Sequence, residues 1–173
     1  MFSVRALLRI LCLCVFSLSF SALTACAEET YKQPEVAQDR DIIDKDSSLM
    51  VMAASGDLEG VVALISEGAE VNARLENGAT PLIVAAQMNT NPEVITVLLT
   101  AGAEVNARDE DGWTPLMVAA GKNTNPEMIT TLLSNGSDAK LKDVTGRTAL
   151  DLAKENEALK GTQAYWKLHD ASF

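Results

Sequence analysis

The sequence has few cysteines and few aromatic residues, and each shortage excludes a class of protein. The three cysteines stand at positions 12, 14 and 26, so residues 27–173 hold no disulfide and no thiol catalyst. Aromatic residues make up only 5% of the chain, although 47% of it is hydrophobic, chiefly Ala, Leu, Val and Ile. This composition favours short helices packed closely in layers over a single compact domain with a large aromatic core.

Basic residues are also scarce, and this shortage limits the kinds of partner that we expect the protein to bind. The chain carries 14 basic and 24 acidic side chains, a formal net charge of -10, and two of the basic ones are Arg5 and Arg9 near the N-terminus. We therefore expect neither nucleic acid nor an anionic membrane surface as a partner. The acidity favours a partner with a basic patch, or it only keeps the protein soluble.

The residue patterns of common active sites and metal sites are missing. His169 is the only histidine, and no partners stand at metal-ligand or triad spacing, so we interpret it as a surface residue near a helix C-terminus. The acidic run at residues 109–111 fails the EF-hand spacing and is interpreted as a turn. No phosphate loop or nucleophile elbow is present. We predict no enzyme activity, no cofactor and no metal.

Residues 1–25 have the organisation of a secretory signal. Arg5 and Arg9 provide a basic start, and residues 10–23 form an apolar run that is too short to span a bilayer comfortably. We therefore predict export of the chain.

The Leu-Thr-Ala-Cys sequence at residues 23–26 resembles a bacterial lipobox. The resemblance implies a lipid on Cys26, attachment to the membrane only through that lipid and, because position 27 is Ala rather than Asp, an outer-membrane lipoprotein facing the periplasm. The alternative is cleavage at Ala27, after an A-x-A site, which gives a soluble periplasmic protein.

We interpret residues 26–46 as a flexible acidic tether. Residues 27–46 hold seven acidic and three basic residues and few large apolar ones, so the segment cannot bury enough surface to fold alone. The alternative is a short helix over residues 36–43 that packs against the first repeat through Ile42 and Ile43.

A period of 34 residues organises the rest of the chain. Residues 78–111 and 112–145 align without a gap, and 18 of their 34 positions are identical. Each unit contains two helix starts with proline at the first helical position, capped by Thr80 and Thr114 and by Asn91 and Asn125. Glycines at positions 102 and 136 end the second helices, and turns are predicted at residues 77–78, 111–112 and 145–146.

The first and last repeats depart from this pattern. In the first, Ser47 or Ser48 is predicted to cap the helix in place of Thr-Pro. In the last, Ala149 replaces proline, and the second helix is predicted to start at Thr162. Tyr165 and Trp166 in that helix are expected to cover the exposed end of the stack.

These motifs, recurring in phase, resemble the ankyrin repeat. The resemblance implies an all-α solenoid of four helix-turn-helix-β-finger repeats, at about residues 47–77, 78–111, 112–145 and 146–173. The family has a structural His after Thr-Pro-Leu; the equivalent residues here are Met50, Ile83, Met117 and Asp151. This difference suggests a more apolar helix junction and puts the usual hydrogen bond between repeats in doubt.

The resemblance also implies that a partner protein docks on the fingertips and inner helices. Trp113 stands where neighbouring repeats have Ala79 and Arg147, and it either anchors a partner or packs over the adjacent finger. Met88 and Val118 would add an adaptable apolar patch. The predicted partner-binding residues are Arg74, Glu76, Ala79, Val84, Gln87, Met88, Arg108, Asp109, Glu110, Trp113, Val118, Lys122, Lys142 and Arg147, and Leu75, Val144 and Leu152 complete the groove.

Together, these features predict a monomeric, non-catalytic scaffold of the bacterial envelope that binds another protein. An immunity protein that neutralises a periplasmic toxic effector is the alternative. An enzyme would need titratable groups clustered in a cleft, and the sequence offers none.

Overall fold

The computed structural model describes residues 45–173, which form two rows of helices. Helices α1, α3, α5 and α7 pack side by side in the inner row, and α2, α4, α6 and α8 pack beside them in the outer row. Within these residues there are eight helices and no strand, at Lys45–Ser55 (α1), Leu58–Ser66 (α2), Pro81–Met88 (α3), Pro92–Thr100 (α4), Pro115–Lys122 (α5), Pro126–Ser134 (α6), Ala149–Ala153 (α7) and Gln163–Ala171 (α8). The predicted all-α solenoid of four repeats is confirmed.

The helices begin where the capping residues predict. The Thr80 hydroxyl accepts the amide N–H of Ile83, the Thr114 hydroxyl accepts that of Met117, and proline occupies the first turn of α3 and α5. Asn91 caps α4 in the same way, and Asn125 does so for α6. These local contacts satisfy amides that have no partner within the helix.

Each pair of repeats is joined by a finger, at residues 67–80 (first finger), 101–114 (second finger) and 135–148 (third finger). The predicted glycine turns are present, and Gly102 and Gly136 have positive φ angles as expected. At Gly78 the φ angle is +77°, and an added Cβ would lie 3.2 Å from the amide nitrogen of Glu110 in the second finger. Glycine therefore allows the fingers to stack closely.

One hydrophobic cluster runs through the stack between the two rows. Leu82, Ala85 and Ala86 of α3 are completely buried, and their equivalents in α5 are at most 1% exposed. Ile83 and Met117, which replace the family's histidine, are buried as well. The predicted apolar helix junction is confirmed at these two positions.

Two asparagines, Asn123 and Asn156, supply hydrogen bonds between repeats, and the first of them is buried. The Asn123 Nδ2 group donates to the carbonyls of Ala86 at 2.8 Å and Asn89 at 2.7 Å, both in the preceding repeat. Asn156 Nδ2 repeats the arrangement one unit later, donating to the carbonyls of Ala120 at 3.0 Å and Asn123 at 2.9 Å. The side chains at the turn between inner and outer helices therefore connect neighbouring repeats, a role the sequence did not reveal.

The predicted cap of the first helix is wrong. Helix α1 extends from Lys45, so Ser47 and Ser48 lie inside it. The Lys45 ammonium donates to the Glu67 carbonyl at 2.9 Å, and the Asp46 carboxylate accepts the Glu70 amide at 2.7 Å. These contacts hold the first turn against the first finger, and they place the last two residues of the predicted tether in the helix.

The other predictions for the N-terminal part concern residues outside those that the structure describes. They are the signal, the lipobox with Cys26, the rest of the tether and the alternative helix over residues 36–43. Within residues 45–173, no helix is long and apolar enough to cross a bilayer.

The last repeat keeps both helices, but its inner helix α7 is shortened to 5 residues, whereas α8 has 9 residues like the other outer helices. Thr148 and Asp151 form a reciprocal capping box at the start of α7, and α8 begins at Gln163, one residue after the predicted start, with Thr162 as its cap. Hydrogen bonds from the Lys154 ammonium, and from the N–H and hydroxyl groups of Thr148, lower the pKa of Asp151 to about 2.

The prediction for the end of the stack is wrong for Trp166. Tyr165 packs against the core, but the Trp166 side chain is 57% exposed. Because Ala164 and Leu168 face the core, the helical period places Trp166 on the opposite side of α8.

Candidate partner-binding cleft

A cleft of about 440 Å³ opens among the three fingertips and the inner helices α3 and α5. Its size falls within the range of ligand sites, about 300–1,000 Å³. Its walls combine apolar, polar and charged side chains from all four repeats, namely Asn77, Ala79, Ile83, Gln87, Asp109, Asp111, Trp113, Val118, Lys122, Val144, Thr145 and Arg147.

Trp113 is half-buried between the second finger and its own inner helix. The Asp109 carboxylate accepts its amide N–H at 2.8 Å, which fixes the backbone at the base of the fingertip. An added Cβ at Gly121 in α5 would lie 3.8 Å from Cζ3 of the indole, at ordinary van der Waals distance, so the ring lies close to the backbone of α5. Trp113 therefore packs on its own repeat and also lines the cleft. Of the two alternatives from the sequence, internal packing is observed in part, and anchoring of a partner stays a prediction.

The predicted apolar patch is interrupted because Trp113 covers Val118. Val118 is only 2% exposed, whereas the equivalent Val51 in the first repeat is 59% exposed. Val118 and Ala79 belong to a small buried cluster against which Trp113 packs. The expectation that Val118 offers an adaptable surface together with Met88 is therefore wrong. Met88 is 67% exposed but does not line the cleft.

Two cations converge on the Trp113 ring. The Lys122 ammonium lies 4.8 Å from the ring centroid, and the Arg147 guanidinium carbon lies 5.8 Å from it. Both distances fall within the range of cation–π contacts. The cleft thus has an aromatic wall bordered by positive charge in a chain that is acidic as a whole.

A buried carboxylate positions one of these cations. Burial raises the pKa of Asp143, but hydrogen bonds from the Thr145 hydroxyl, the amides of Arg147 and Thr145, and the Arg147 guanidinium lower it to about 2. The Arg147 Nε group donates to Asp143 Oδ2 at 3.1 Å and to the Thr145 hydroxyl at 3.0 Å. Asp143 therefore stays ionised near neutral pH and fixes Arg147 at the edge of the cleft.

Two other predicted binding residues brace the fingers. The Arg74 guanidinium donates to the carbonyls of Arg108 at 2.9 Å and Gly78 at 3.1 Å. The Arg108 guanidinium donates in turn to the Lys142 carbonyl of the third finger. Arg74 and Arg108 are 34 residues apart, so they occupy equivalent positions in successive repeats. This recurrence could have indicated the role, because a hydrogen bond from one finger to the next is expected to repeat in each unit.

The structure brings together half of the predicted residues. Those that line the cleft are Ala79, Gln87, Asp109, Trp113, Val118, Lys122 and Arg147. Those that lie elsewhere are Arg74, Glu76, Val84, Met88, Arg108, Glu110 and Lys142. The predictions omitted Asn77, Asp111 and Thr145, which immediately precede the fingertip glycines and could have been found from that position, and Ile83.

The cleft offers little for catalysis in the described part of the chain. No group of three or more His, Cys, Asp or Glu side chains is arranged to hold a metal ion within residues 45–173. The buried carboxylate of Asp143 lies beside the cleft and is engaged by Arg147 and Thr145. The arrangement suits recognition of a ligand by an aromatic wall and two cations.

Comparison with protein families agrees with the fold. The family model described as ankyrin repeats (3 copies) matches the chain over residues 14–109, 49–143 and 89–163. Comparison with the curated proteins finds no match.

Proposed function

Because this chain belongs to the ankyrin-repeat family, we propose that it is a non-catalytic scaffold of the bacterial envelope that binds a partner protein in the cleft. Ankyrin repeats generally mediate protein–protein interaction. The observation that carries the proposal is the half-buried Trp113, set in the cleft between two cations. Tryptophan flanked by charged groups is typical of the residues that dominate binding energy at interfaces.

The fingers support this function because they are held before a partner arrives. The Glu110 amide donates to the Asn77 carbonyl at 3.0 Å, and the Val144 amide donates to the Asp111 carbonyl at 3.1 Å. The guanidinium groups of Arg74 and Arg108 bridge the same fingers. Few groups need to be ordered on binding, so less conformational entropy is lost.

The envelope location is supported by the signal-like residues 1–25 and by the lipobox that ends at Cys26. In cells fed a palmitate label, the wild-type chain is expected to incorporate label and to fractionate with membranes. Cys26→Ala is expected to lose the label. Equal soluble behaviour of the two proteins, without label in either, contradicts the anchor and leaves the soluble periplasmic form.

The partner site can be tested by photo-crosslinking in whole cells. A benzoylphenylalanine at Gln87, which is exposed and lines the cleft, is expected to crosslink a partner protein. The same group at Thr100, exposed at the end of α4 and outside the cleft, is the control. Crosslinks of equal yield and identity at both positions, or none at Gln87, contradict docking in the cleft.

An immunity protein is the second candidate, favoured by the excess of acidic over basic residues, which suits a basic effector. An immunity protein is expected to be dispensable in a strain that meets no effector. A growth defect on deletion in monoculture, without any effector, favours the scaffold instead.

A further inference from the structure

We infer that the cleft recognises an acidic side chain, Asp or Glu, carried by a segment of the partner protein. The inference rests on the proposed function, since it names the chemistry of the partner at the same site. It also differs from what net charge suggests, because an acidic protein is expected to select a basic partner.

The cleft holds two positively charged side chains beside the Trp113 ring. Lys122 and Arg147 both lie within 6 Å of the Trp113 ring centroid. Among residues 45–173, no carboxylate forms a salt bridge with Lys122, which is exposed. Within these residues the Arg147 guanidinium uses only Nε in its hydrogen bonds, so its two terminal NH₂ groups remain as donors.

Two acids line the same cleft, Asp109 and Asp111, and a third, Asp143, lies beside Arg147 outside the lining. Asp143 is buried and holds Arg147 and Thr145. The Asp109 carboxylate accepts the Trp113 amide and so is engaged within its own finger. Asp111 is exposed at the fingertip and makes no salt bridge with either cation. Within the described residues, the donors of Lys122 and the terminal groups of Arg147 are not matched by an acid.

The donors of Lys122 and Arg147 lie beside an apolar surface. The adjoining wall is apolar, formed by Trp113, Ile83 and the covered Val118. A carboxylate bound against such a wall is shielded from water on one side, where attraction between opposite charges is stronger than on open surface. Charge-assisted bonds from a guanidinium to a carboxylate are also among the stronger hydrogen bonds. A lysine or arginine placed against the Trp113 ring would instead lie beside two like charges, Lys122 and Arg147, whereas the two lining carboxylates, Asp109 and Asp111, form no salt bridge with either cation.

The test is selection of peptides on the full chain, expressed from Met1 and immobilised at its C-terminus. The probe is a phage-displayed library of random nonapeptides, selected in parallel on wild type, on Lys122→Gln and on Lys167→Gln. Lys167 is exposed on α8, away from the cleft, and serves as the charge-matched control. Wild type and Lys167→Gln are expected to enrich peptides with a shared Asp or Glu, and Lys122→Gln is expected to lose that preference.

Affinity is then measured by fluorescence anisotropy with one enriched peptide and its Glu→Gln or Asp→Asn counterpart. The acidic peptide is expected to bind wild type about tenfold or more tightly than the amide, with the ratio falling toward one for Lys122→Gln. Because Lys122 is exposed, this variant is expected to fold normally, and far-UV circular dichroism checks that it does.

Three outcomes overturn the inference, and they separate it from the proposed function. The first outcome is that the enriched peptides share no acidic side chain, or are bound through their C-terminal carboxylate. If Trp113→Ala abolishes their binding, this outcome overturns the inference and leaves the proposed function standing. An acidic preference equal in wild type and Lys122→Gln also overturns it, because the acid then binds elsewhere. No enrichment on any variant, together with no crosslink at Gln87, overturns the inference and the proposed function together.

Discussion

Replacing Asn123 with alanine removes a side chain that joins the second and third repeats. The amide makes three hydrogen bonds: it donates to the carbonyls of Ala86 and Asn89, and it accepts the amide N–H of Asn125 at 2.8 Å. Asn123 is only 2% exposed and Ala86 is completely buried, so water cannot replace these partners without local opening. The perturbation therefore leaves backbone groups without partners inside the stack.

The expected loss follows from these three bonds. A net contribution of about 1 kcal/mol per hydrogen bond gives a loss of about 3 kcal/mol, and carbonyls left unsatisfied in a buried site raise it further. Asn135→Ala is the matched control because Asn135 is exposed and its Nδ2 group donates only within its own repeat, to Thr131. That substitution is expected to lower stability by about 0.5 kcal/mol.

Urea unfolding followed by far-UV circular dichroism measures the difference between the two variants. The midpoint of Asn123→Ala is expected to fall while the dependence on urea is unchanged, since the same surface is exposed on unfolding. A loss within 1 kcal/mol of the Asn135→Ala control refutes the claim that this asparagine holds two repeats together.

Two further predictions concern the backbone and the buried acid. Gly56 and Gly68 both have positive φ, but an added Cβ at Gly56 would lie 2.6 Å from Asn89 Oδ1, whereas at Gly68 it would meet nothing within 4 Å. Gly68→Ala is therefore expected to lower the free energy of unfolding by about 1 kcal/mol, because only the backbone conformation is strained. Gly56→Ala is expected to lower it by clearly more, because the new Cβ also meets Asn89. Equal losses of stability in thermal unfolding contradict the contact with Asn89. Because the pKa of Asp143 is lowered in the folded chain from 3.8 to about 2, its ionised form stabilises the fold above about pH 4, and this contribution is lost as the pH falls toward 2. The pKa of Asp151 is lowered in the same way, so it contributes to the loss of stability over the same pH range. Asp143→Asn is therefore expected to reduce, but not abolish, the fall in the free energy of unfolding between about pH 4 and pH 2. An unchanged fall contradicts the assigned hydrogen bonds.

The features that were predictable from the sequence are those that depend on nearby residues. Thr80 and Asn91 cap helices because each side chain reaches amides two or three positions along the chain, and proline next to them suits the first turn. The glycine turns obey an equally local rule, since the backbone there must adopt positive φ. The recurrence of these signals in phase was enough to predict the solenoid.

The features that could not be predicted depend on contacts between repeats. Asn123 bonds to carbonyls 34 and 37 positions away, and no local pattern tells which way its amide points. The start of α1 was missed because Lys45 and Asp46 are held by residues of the first finger. Trp166 was misplaced because the face of α8 that is buried is set by how that helix packs on α6.

The composition of the cleft was also only partly predictable. The period identified Trp113 as the unusual residue at its position, and Lys122 and Arg147 as inner-surface residues. That these three side chains meet depends on how the second finger, α5 and the third finger pack against one another. Covering of Val118 by the indole depends on the same geometry.

The central claim is that a partner protein binds through Trp113, and one comparison of affinities tests it most directly. The protein crosslinked at Gln87 is purified, and its binding is measured to wild type, Trp113→Ala and Trp166→Ala, the last being a tryptophan that is exposed outside the cleft. Thermal unfolding confirms that both variants are folded at the temperature of the assay. Trp113→Ala is expected to weaken binding about thirtyfold or more, as for an interface anchor, while Trp166→Ala leaves it unchanged. Equal affinity of wild type and Trp113→Ala contradicts the account.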